Sequence, residues 1–571
     1  KSYVFFESRH TSLHASMGSL TDTVFKRVFS PEPAWATGLR NLGAALVAAL
    51  SAHYLHILVW RKLKHLPPGP TPVPLLGNLL LLKSDDVAAE FAPMFKKYGP
   101  VFSFWFGNKL ALVESCPNIE YELMVTRGDD FNARPKTEAE RMINYEAGKC
   151  EGIHSSEGAQ WANVRKVLVS DLLSKNNLET RILPKVTSGA RALVKYLSGL
   201  SGTVVSPRML LKITAMNASL KLVLNQEIDY DDLGTYNETT NKWQPPNREL
   251  STAAHMAFFF FRYIDSTFLC LAAANVRDVM PWPLNVLVPR PPVFAEFFKL
   301  AKERDVLWQQ VISEHRSTRI QGSPRDWVDE ILDNPRGLKD EEIVGLLMDT
   351  VIATSDTFIA FIEWFLAMVA QKPEEQKKLQ RELDLAAPDR LIDAKDQMQC
   401  PYYVAFMKEI FRMCPLTPIN PPRRAVVNST LGGYDVPVDS WVFQHWGAMG
   451  ERDDLWGDSD TFRPQRFLED AKEMGDMAMK TAAPRMPCNL NVFAFGKRSC
   501  PGYRLGRVSA FVQSAMMVQL FDWKLCDDSD LRPQPRLIVF PKNFKAVPTY
   551  RHPLPIEQLL AKSPDHKGAW F

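Results

Sequence analysis

Phe493-Ala-Phe-Gly496-Lys-Arg498-Ser-Cys500-Pro-Gly502 sets one cysteine in a glycine-bracketed loop, beside an arginine and an aromatic residue, just before an apolar run that reads as a helix from about Tyr503. A helix starting there would turn its positive end and free N–H groups toward the sulfur, and both favour thiolate over thiol. Gly496 and Gly502 permit close backbone approach and positive φ. Arg498 is placed to reach a carboxylate, and Phe493 to pack beside the sulfur and limit water access. This is what a haem iron held by a thiolate needs, with Cys500 as the axial metal ligand. Thiolate ligation pushes electron density onto iron and favours O–O cleavage.

Working outward, Glu409-Ile-Phe-Arg412 puts an acid and an arginine on one face of a helix, and Pro464-Gln-Arg466-Phe467, preceded by Phe462, supplies a later arginine. Trp161-Ala-Asn-Val-Arg165 sets Trp161 and Arg165 at i and i+4 on another helix. Arg423 and Arg424 follow Pro421-Pro422. Ala353-Thr-Ser-Asp356-Thr357-Phe358 lies within a long apolar helix, where an acid beside an alcohol suits proton delivery.

In order and spacing these segments resemble the cytochrome P450 superfamily, the haem-thiolate monooxygenases, through the pattern Phe-x-x-Gly-x-Arg-x-Cys-x-Gly. The resemblance covers roughly residues 67–552. It implies a mainly α fold with small β-sheets and haem b as cofactor, bound without thioether links because the chain has no C-x-x-C-H. It implies that Arg498, Trp161, Arg165 and Arg424, with Arg423 as the neighbouring candidate, surround the haem propionates. A buried dianionic edge needs paired cations. It implies a buried network of Glu409, Arg412 and Arg466 that locks the cysteine loop, and catalytic roles for Asp356 and Thr357 in oxygen activation. Thr354 stands where the family pattern has glycine and Phe358 where it has a second alcohol, so a threonine hydroxyl is expected to bond a helix carbonyl.

The 571 residues contain no Gly/Ser-rich or acidic linker, and 68 basic against 65 acidic residues give a net charge near +3. That balance argues against a nucleic-acid surface, which needs a concentrated basic face. Eight dispersed cysteines without a C-x-x-C suit a reducing compartment. Residues 42–60, nearly continuously apolar, form a helix of about 28 Å, just enough to span a bilayer. Arg61-Lys-Leu-Lys64 favours a cytosolic catalytic side, and a helix lying on the membrane surface is the alternative. Residues 67–70, Pro-Pro-Gly-Pro, read as a stiff spacer. The expected organisation is an N-terminal extension over 1–37, an anchor over 38–60, a basic and proline-rich hinge over 61–74, and a catalytic domain over 75–571. The extension has no counterpart in the family pattern; a tag, a gene-model extension, a family-specific tail or a transit sequence would account for it.

Gly107-Asn108 between apolar strands predicts a β-hairpin. Helical periodicity runs over 117–127, 160–175, 178–198, 208–224, 249–275, 292–316, 339–371, 373–386, 400–413 and 503–519, with strands near 424–443 and 536–549. The aromatic run 258–261 suits a pocket, lipid or plain core, and Met280-Pro-Trp282-Pro-Leu284 resembles a membrane-dipping link. Ile352, Ala353, Phe358, Ile419 and Val539 are apolar pocket candidates, so a hydrophobic small molecule is the expected substrate. No nicotinamide- or flavin-binding domain fits after Cys500. Electrons are therefore expected from a separate membrane-bound NADPH-dependent flavoprotein reductase, docked through Lys166, Lys497, Arg504 and Arg507. The implied location is the endoplasmic reticulum membrane, single-pass. Two alternatives stay open: an isomerase or dehydratase of the same fold acting without reductase, and a non-catalytic haem or sterol binder at the membrane.

Overall fold

The computed structural model describes residues 34–84, 86–141, 152–230, 235–237, 242–244, 251–272, 276–280, 284–468, 492–534 and 536–563. They form two compact units. The smaller holds the described residues up to Lys64 with Val73–Leu75, and the larger holds His65–Pro72 and everything from Leu76.

The smaller unit is built on one helix, Ala34–Leu63, which extends the predicted 42–60 run at both ends. Leu39, Leu42, Val47, Leu55, Val59 and Leu63 are exposed along it. Among the described residues, the helix long and apolar enough to cross a membrane by length and composition is Asp340–Gln371, whose most apolar stretch is largely buried inside the protein.

That central helix organises the larger unit. Its start is fixed locally: the Glu342 carboxylate accepts the Lys339 N–H at 2.9 Å, and acids at 340–342 favour the positive helix end. From Ile359 to Ala367 it is buried on every side, so it packs as a core helix rather than as an amphipathic one. The helices Pro207–Val223, Pro401–Met413 and Tyr503–Leu520 lie against it. The expected helices are all present, within a few residues at their ends. Helix Val87–Tyr98, with Pro93 inside it, was not among the expected helices; Asp86 caps it by accepting the Ala89 N–H at 3.0 Å.

The predicted hairpin pairs Val101–Phe106 with Lys109–Glu114 around Gly107, whose φ of 55° suits glycine. Strand Lys109–Glu114 then runs parallel to Trp441–Gln444, which pairs antiparallel with Arg423–Arg424. This sheet carries Arg423 on its far edge strand, with Trp441–Gln444 between it and the hairpin. Of the stretch 536–549, only Pro541–Asn543 and Ala546–Tyr550 are strands, and the latter pairs with Phe521–Leu525.

Residues 67–70 are not a free spacer. The Ser103 N–H and hydroxyl donate to the carbonyls of Pro68 and Pro67 at 2.8 and 3.0 Å, and a Cβ on Gly69 would overlap Ser103. His65 is tied to Asp435 and Gly433. Phe260 and Phe261 are buried in the main core, Phe260 with its ring 6.1 Å from Trp308, so these two serve packing. Residues 281–283, and 142–151 within the expected substrate loop near 135–155, lie outside the described residues.

Candidate active site

The cysteine loop is built as a turn that leads directly into a helix. Cys500 N–H donates to the Phe493 carbonyl at 2.8 Å and Ser499 N–H to the Gly496 carbonyl at 3.1 Å, and helix Tyr503–Leu520 follows with Gly502 at its N-cap. Gly496 has φ 68°, and a Cβ there would collide with the Met124 carbonyl. Glycine is therefore required both by conformation and by space. Gly502 has no such crowding. Phe493 lies against Gly506 and sets its ring 6.2 Å from that of Phe411 on helix Pro401–Met413. Burial pushes the Cys500 thiol up, while the Gly502 N–H and Arg165 pull it down. The helix end alone thus does not outweigh desolvation, and a metal cation on the sulfur would reverse the balance.

Around this loop the fold gathers arginines from four distant segments. Arg498 stacks over the Trp161 ring at 4.3 Å. It donates to the carbonyls of Asn132 at 3.1 Å, Ile153 at 3.0 Å and Ser156 at 2.6 Å. Arg165 lies 5.7 Å from the same ring and donates to the Ser499 carbonyl at 2.6 Å. Arg423 is buried on its strand. The fourth, Arg134 in Phe131-Asn-Ala-Arg134-Pro, donates to the carbonyls of Pro421 and Pro422 at 2.6 and 3.1 Å. Burial and mutual repulsion act on the group together: Arg498 is lowered to about 9, with Arg134 and Arg165 adding to desolvation. Arg423 is lowered well below its ordinary value by burial and then by Arg134, Arg498 and Arg165. Arg134 is lowered to about 10, first by burial.

The structure separates the two neighbouring arginines. Arg424 is paired with Glu157 at 2.9 Å and Asp439 at 3.0 Å, and also donates to the Arg134 carbonyl. Arg423 is the one that faces the other cations. Arg134 Nε and the buried Trp161 Nε1 have no hydrogen-bond partner among the described residues. Clustered guanidinium groups beside a cysteine, with Arg134 Nε and the Trp161 indole unpaired, fit a planar group carrying two carboxylates.

The central helix carries Asp356 and Thr357. Asp349, Ala353 and Thr357 fall on one face at i, i+4 and i+8. Ala353 is exposed in mid-helix and Thr357 is half-buried, so beyond Asp349 this face is not closely packed against protein. Thr357 Oγ1 donates to the Ala353 carbonyl at 2.6 Å, which leaves its lone pairs as acceptors. Thr354 points elsewhere. Its hydroxyl meets the Thr350 carbonyl at 2.8 Å and Ser219 Oγ at 2.6 Å on helix Pro207–Val223. The expected hydroxyl–carbonyl bond is therefore present, on the side away from Thr357. Asp356 is buried among charges of neighbouring elements. Desolvation raises its carboxyl to about 6, opposed by Lys212, reinforced by Asp265, and opposed again by Arg536 and Arg208. Asp349, unremarked in the sequence, accepts the His154 N–H at 2.9 Å and holds the loop after residue 151 against the helix. Ile352, Phe358 and Ile419 are half-buried, and Val539 is buried with its N–H on the Leu416 carbonyl at 2.9 Å.

Behind the cysteine loop, Arg412 Nε and Nη2 straddle the Glu409 carboxylate at 2.9 and 2.8 Å. Arg466 Nε donates to Glu409 Oε1 at 3.2 Å and its Nη1 to Asp458 at 2.7 Å. Trp456 lies under both guanidinium groups at 5.4 and 6.0 Å. All three members of the network are buried. Asp458 and Trp456 complete it, and neither carries a signal in the sequence. Lys166, Arg504 and Arg507 are exposed around the cysteine side, and Lys497 is exposed and paired with Asp129.

The family model for cytochrome P450 matches residues 67–547. The chain is 27% identical to isoflavone 3'-hydroxylase of Medicago truncatula over 81% of its own length and 88% of the relative's. It is 26% identical to ferruginol synthase of Salvia miltiorrhiza over 85% and 93%. A solved zebra fish cytochrome P450 with progesterone superposes with TM-score 0.65 over 81% of this chain and 99% of that one, at 20% identity. Motif, fold and sequence match converge, and the chain belongs to the cytochrome P450 family.

Proposed function

We propose that this protein is a haem-dependent monooxygenase that inserts one oxygen atom into an apolar small molecule of secondary metabolism, drawing electrons from a separate NADPH-dependent flavoprotein reductase. The observation that carries the reading is the arginine set around Cys500: Arg165 donates to the neighbouring Ser499 carbonyl, Arg134, Arg165 and Arg498 act together on Arg423, and Arg134 Nε and Trp161 Nε1 have no hydrogen-bond partner among the described residues. Family membership implies a haem-thiolate cofactor, and haem b, when bound through Cys500, would supply activation of dioxygen. Arg423, Arg498, Arg165, Trp161 and Arg134 would hold its carboxylates. Arg424 would act one step away, bracing the Arg134 carbonyl.

Thr357 would accept a hydrogen bond at the oxygen-binding face, since its own proton is engaged by Ala353. Asp356 would exchange protons with the charged groups behind the helix, and its carboxyl at about 6 is suited to doing so near neutrality. A reductase-independent isomerase or a passive carrier has no use for that pair. The named activities of the plant relatives, hydroxylation in the case of the isoflavone enzyme, support oxidation of an apolar secondary metabolite. Helix Ala34–Leu63, with apolar side chains exposed along its length, would anchor the protein in the endoplasmic reticulum membrane with the catalytic unit in the cytosol. The exposed Lys166, Arg504 and Arg507 would receive the reductase.

The test is a carbon monoxide difference spectrum of the reduced holoprotein, followed by reconstitution with reductase, NADPH and a panel of apolar plant metabolites. The reading expects the red-shifted band of thiolate-ligated haem, its loss in Cys500→Ser, and NADPH-dependent product from at least one compound. A Cys500→Ser protein that keeps the band would overturn it.

A further inference from the structure

Residues 152–156 touch both the central helix and Arg498 of the cysteine loop. They form a turn closed on itself, because the Ser156 hydroxyl donates to the Gly152 carbonyl. The turn rests on the central helix through its backbone. Its His154 N–H donates to Asp349 Oδ2 at 2.9 Å. Gly152 lies so near the same carboxylate that a Cβ there would stand 2.2 Å from Oδ2 and 2.8 Å from the Gly345 carbonyl oxygen. Glycine at 152 is therefore what lets the turn reach the helix. The same turn holds Arg498. The carbonyls of Ile153 and Ser156 accept from its Nη1 and Nη2 at 3.0 and 2.6 Å, and Asn132 O and Oδ1 accept from its Nε at 3.1 and 3.2 Å. None of these partners is charged, so the guanidinium plane is oriented while its positive charge stays available to an anion. A second tie runs through side chains: Ser155 Oγ donates to Glu140 Oε2 at 2.5 Å, and the His154 ring lies 3.4 Å from Glu140 Oε1.

We propose that Asp349 is a positioning residue for Arg498: by holding the His154 N–H it fixes the turn whose carbonyls aim the guanidinium at the carboxylates of the bound cofactor. The inference rests on the haem reading above. The central helix is the packed core of the larger unit, so a contact to it gives the turn a fixed reference. Without that contact the turn keeps only its side-chain tie to Glu140, a residue of the four-residue helix Glu138–Arg141. The carbonyls around Arg498 can then shift and carry the cation away from its anion. No proton or electron moves in this role, which is geometric. A cation set against the cofactor carboxylates favours the reduced state, in which the iron carries one positive charge fewer. Loss of the positioning therefore makes the reduction potential more negative and weakens cofactor retention.

The experiment uses the haem-loaded full chain and reads two quantities at fixed pH: the midpoint potential of the haem couple and the rate of haem transfer to excess apomyoglobin. Asp349→Ala and Asp349→Asn both delete the charge, but only asparagine keeps an acceptor for the His154 N–H. The alanine variant should show a more negative potential than the asparagine variant and lose haem severalfold faster. Asp349→Asn should stay at or above the wild-type potential, because deleting a nearby negative charge acts in the opposite sense. Gly152→Ala leaves the carboxylate in place and drives the turn off the helix. It should also lower the potential and speed haem loss, which keeps the test decisive if Asp349→Ala fails to fold. In an Arg498→Lys background, whose single amine cannot span the same carbonyls, the difference in potential between the two Asp349 variants should vanish. Coincidence of Asp349→Ala with Asp349→Asn in both quantities would overturn the proposal. So would a Gly152→Ala protein with wild-type values, or an undiminished difference in the Arg498→Lys background. If the wild type holds no haem, the haem reading itself fails; if haem is held and the variants coincide, only this inference does.

Discussion

At the residue scale, Thr357 and Asp356 are adjacent in sequence and face different environments, one the less packed helix face and the other the charges of Lys212, Asp265 and Arg208. Thr357→Ala should still bind haem and consume NADPH, while product per NADPH falls and hydrogen peroxide rises. General acid–base groups supply about 10²–10⁴-fold, and a replacement water would soften the loss. Because the Thr354 hydroxyl is held by Thr350 and Ser219, it should not substitute, and Thr354→Gly added to Thr357→Ala should change coupling no further. The Asp356 carboxyl also makes a stability prediction. Its folded value, about 6, lies above the ordinary 3.8, so the folded state binds more protons between those values. Stability is therefore full below about pH 4 and falls as pH rises to 6. Asp356→Asn should raise the free energy of denaturant unfolding at pH 7 by on the order of 2–3 kcal/mol, and give little at pH 4. The pattern around Cys500 was readable because iron chemistry constrains residue types at fixed offsets. Arg134 was not, because an isolated arginine gains its meaning only when the chain brings residues 165, 423 and 498 around it.

At the scale of elements, the long helices were legible because their apolar periodicity is sustained over many turns, as in Asp340–Gln371 and Pro207–Val223. Short elements were not. Phe521–Leu525 is a strand because Ala546–Tyr550 pairs with it, and nothing within five residues announces a partner twenty positions later. Helix Val87–Tyr98 carries Pro93 in its second turn, and its Phe91 ring is held edge-on by Phe102 and Phe104 at 5.7 and 5.1 Å. The Glu409 network joins helix Pro401–Met413 to the segment around Arg466 through wholly buried charge. Truncating one partner strands the others, which costs about 3–5 kcal/mol. Glu409→Ala should accumulate as apoprotein or insoluble protein, whereas Lys408→Ala, one residue away, should keep full haem occupancy and melting temperature.

At the scale of the whole molecule, composition left open one large domain or two sharing a close interface, and it was the family resemblance that favoured one; the cytochrome P450 family model matches residues 67–547. The boundary of that unit was harder to read, because a proline-rich segment looks like a spacer until its carbonyls find Ser103. A chain beginning at His65 should keep its haem and its thermal stability and lose most integral membrane association on carbonate extraction. One beginning at Thr71 should be less stable by about 2–4 kcal/mol, the worth of the several hydrogen bonds it forfeits. The parallel pairing of Lys109–Glu114 with Trp441–Gln444 has a consequence for biosynthesis. The hairpin leaves the ribosome more than three hundred residues ahead of its neighbour strand. At translation rates of about 5–20 residues per second it waits roughly 15–65 s with an unpaired edge. During that interval the nascent chain is open to wrong strand partners, and binding by chaperones should concentrate there until residue 444 emerges.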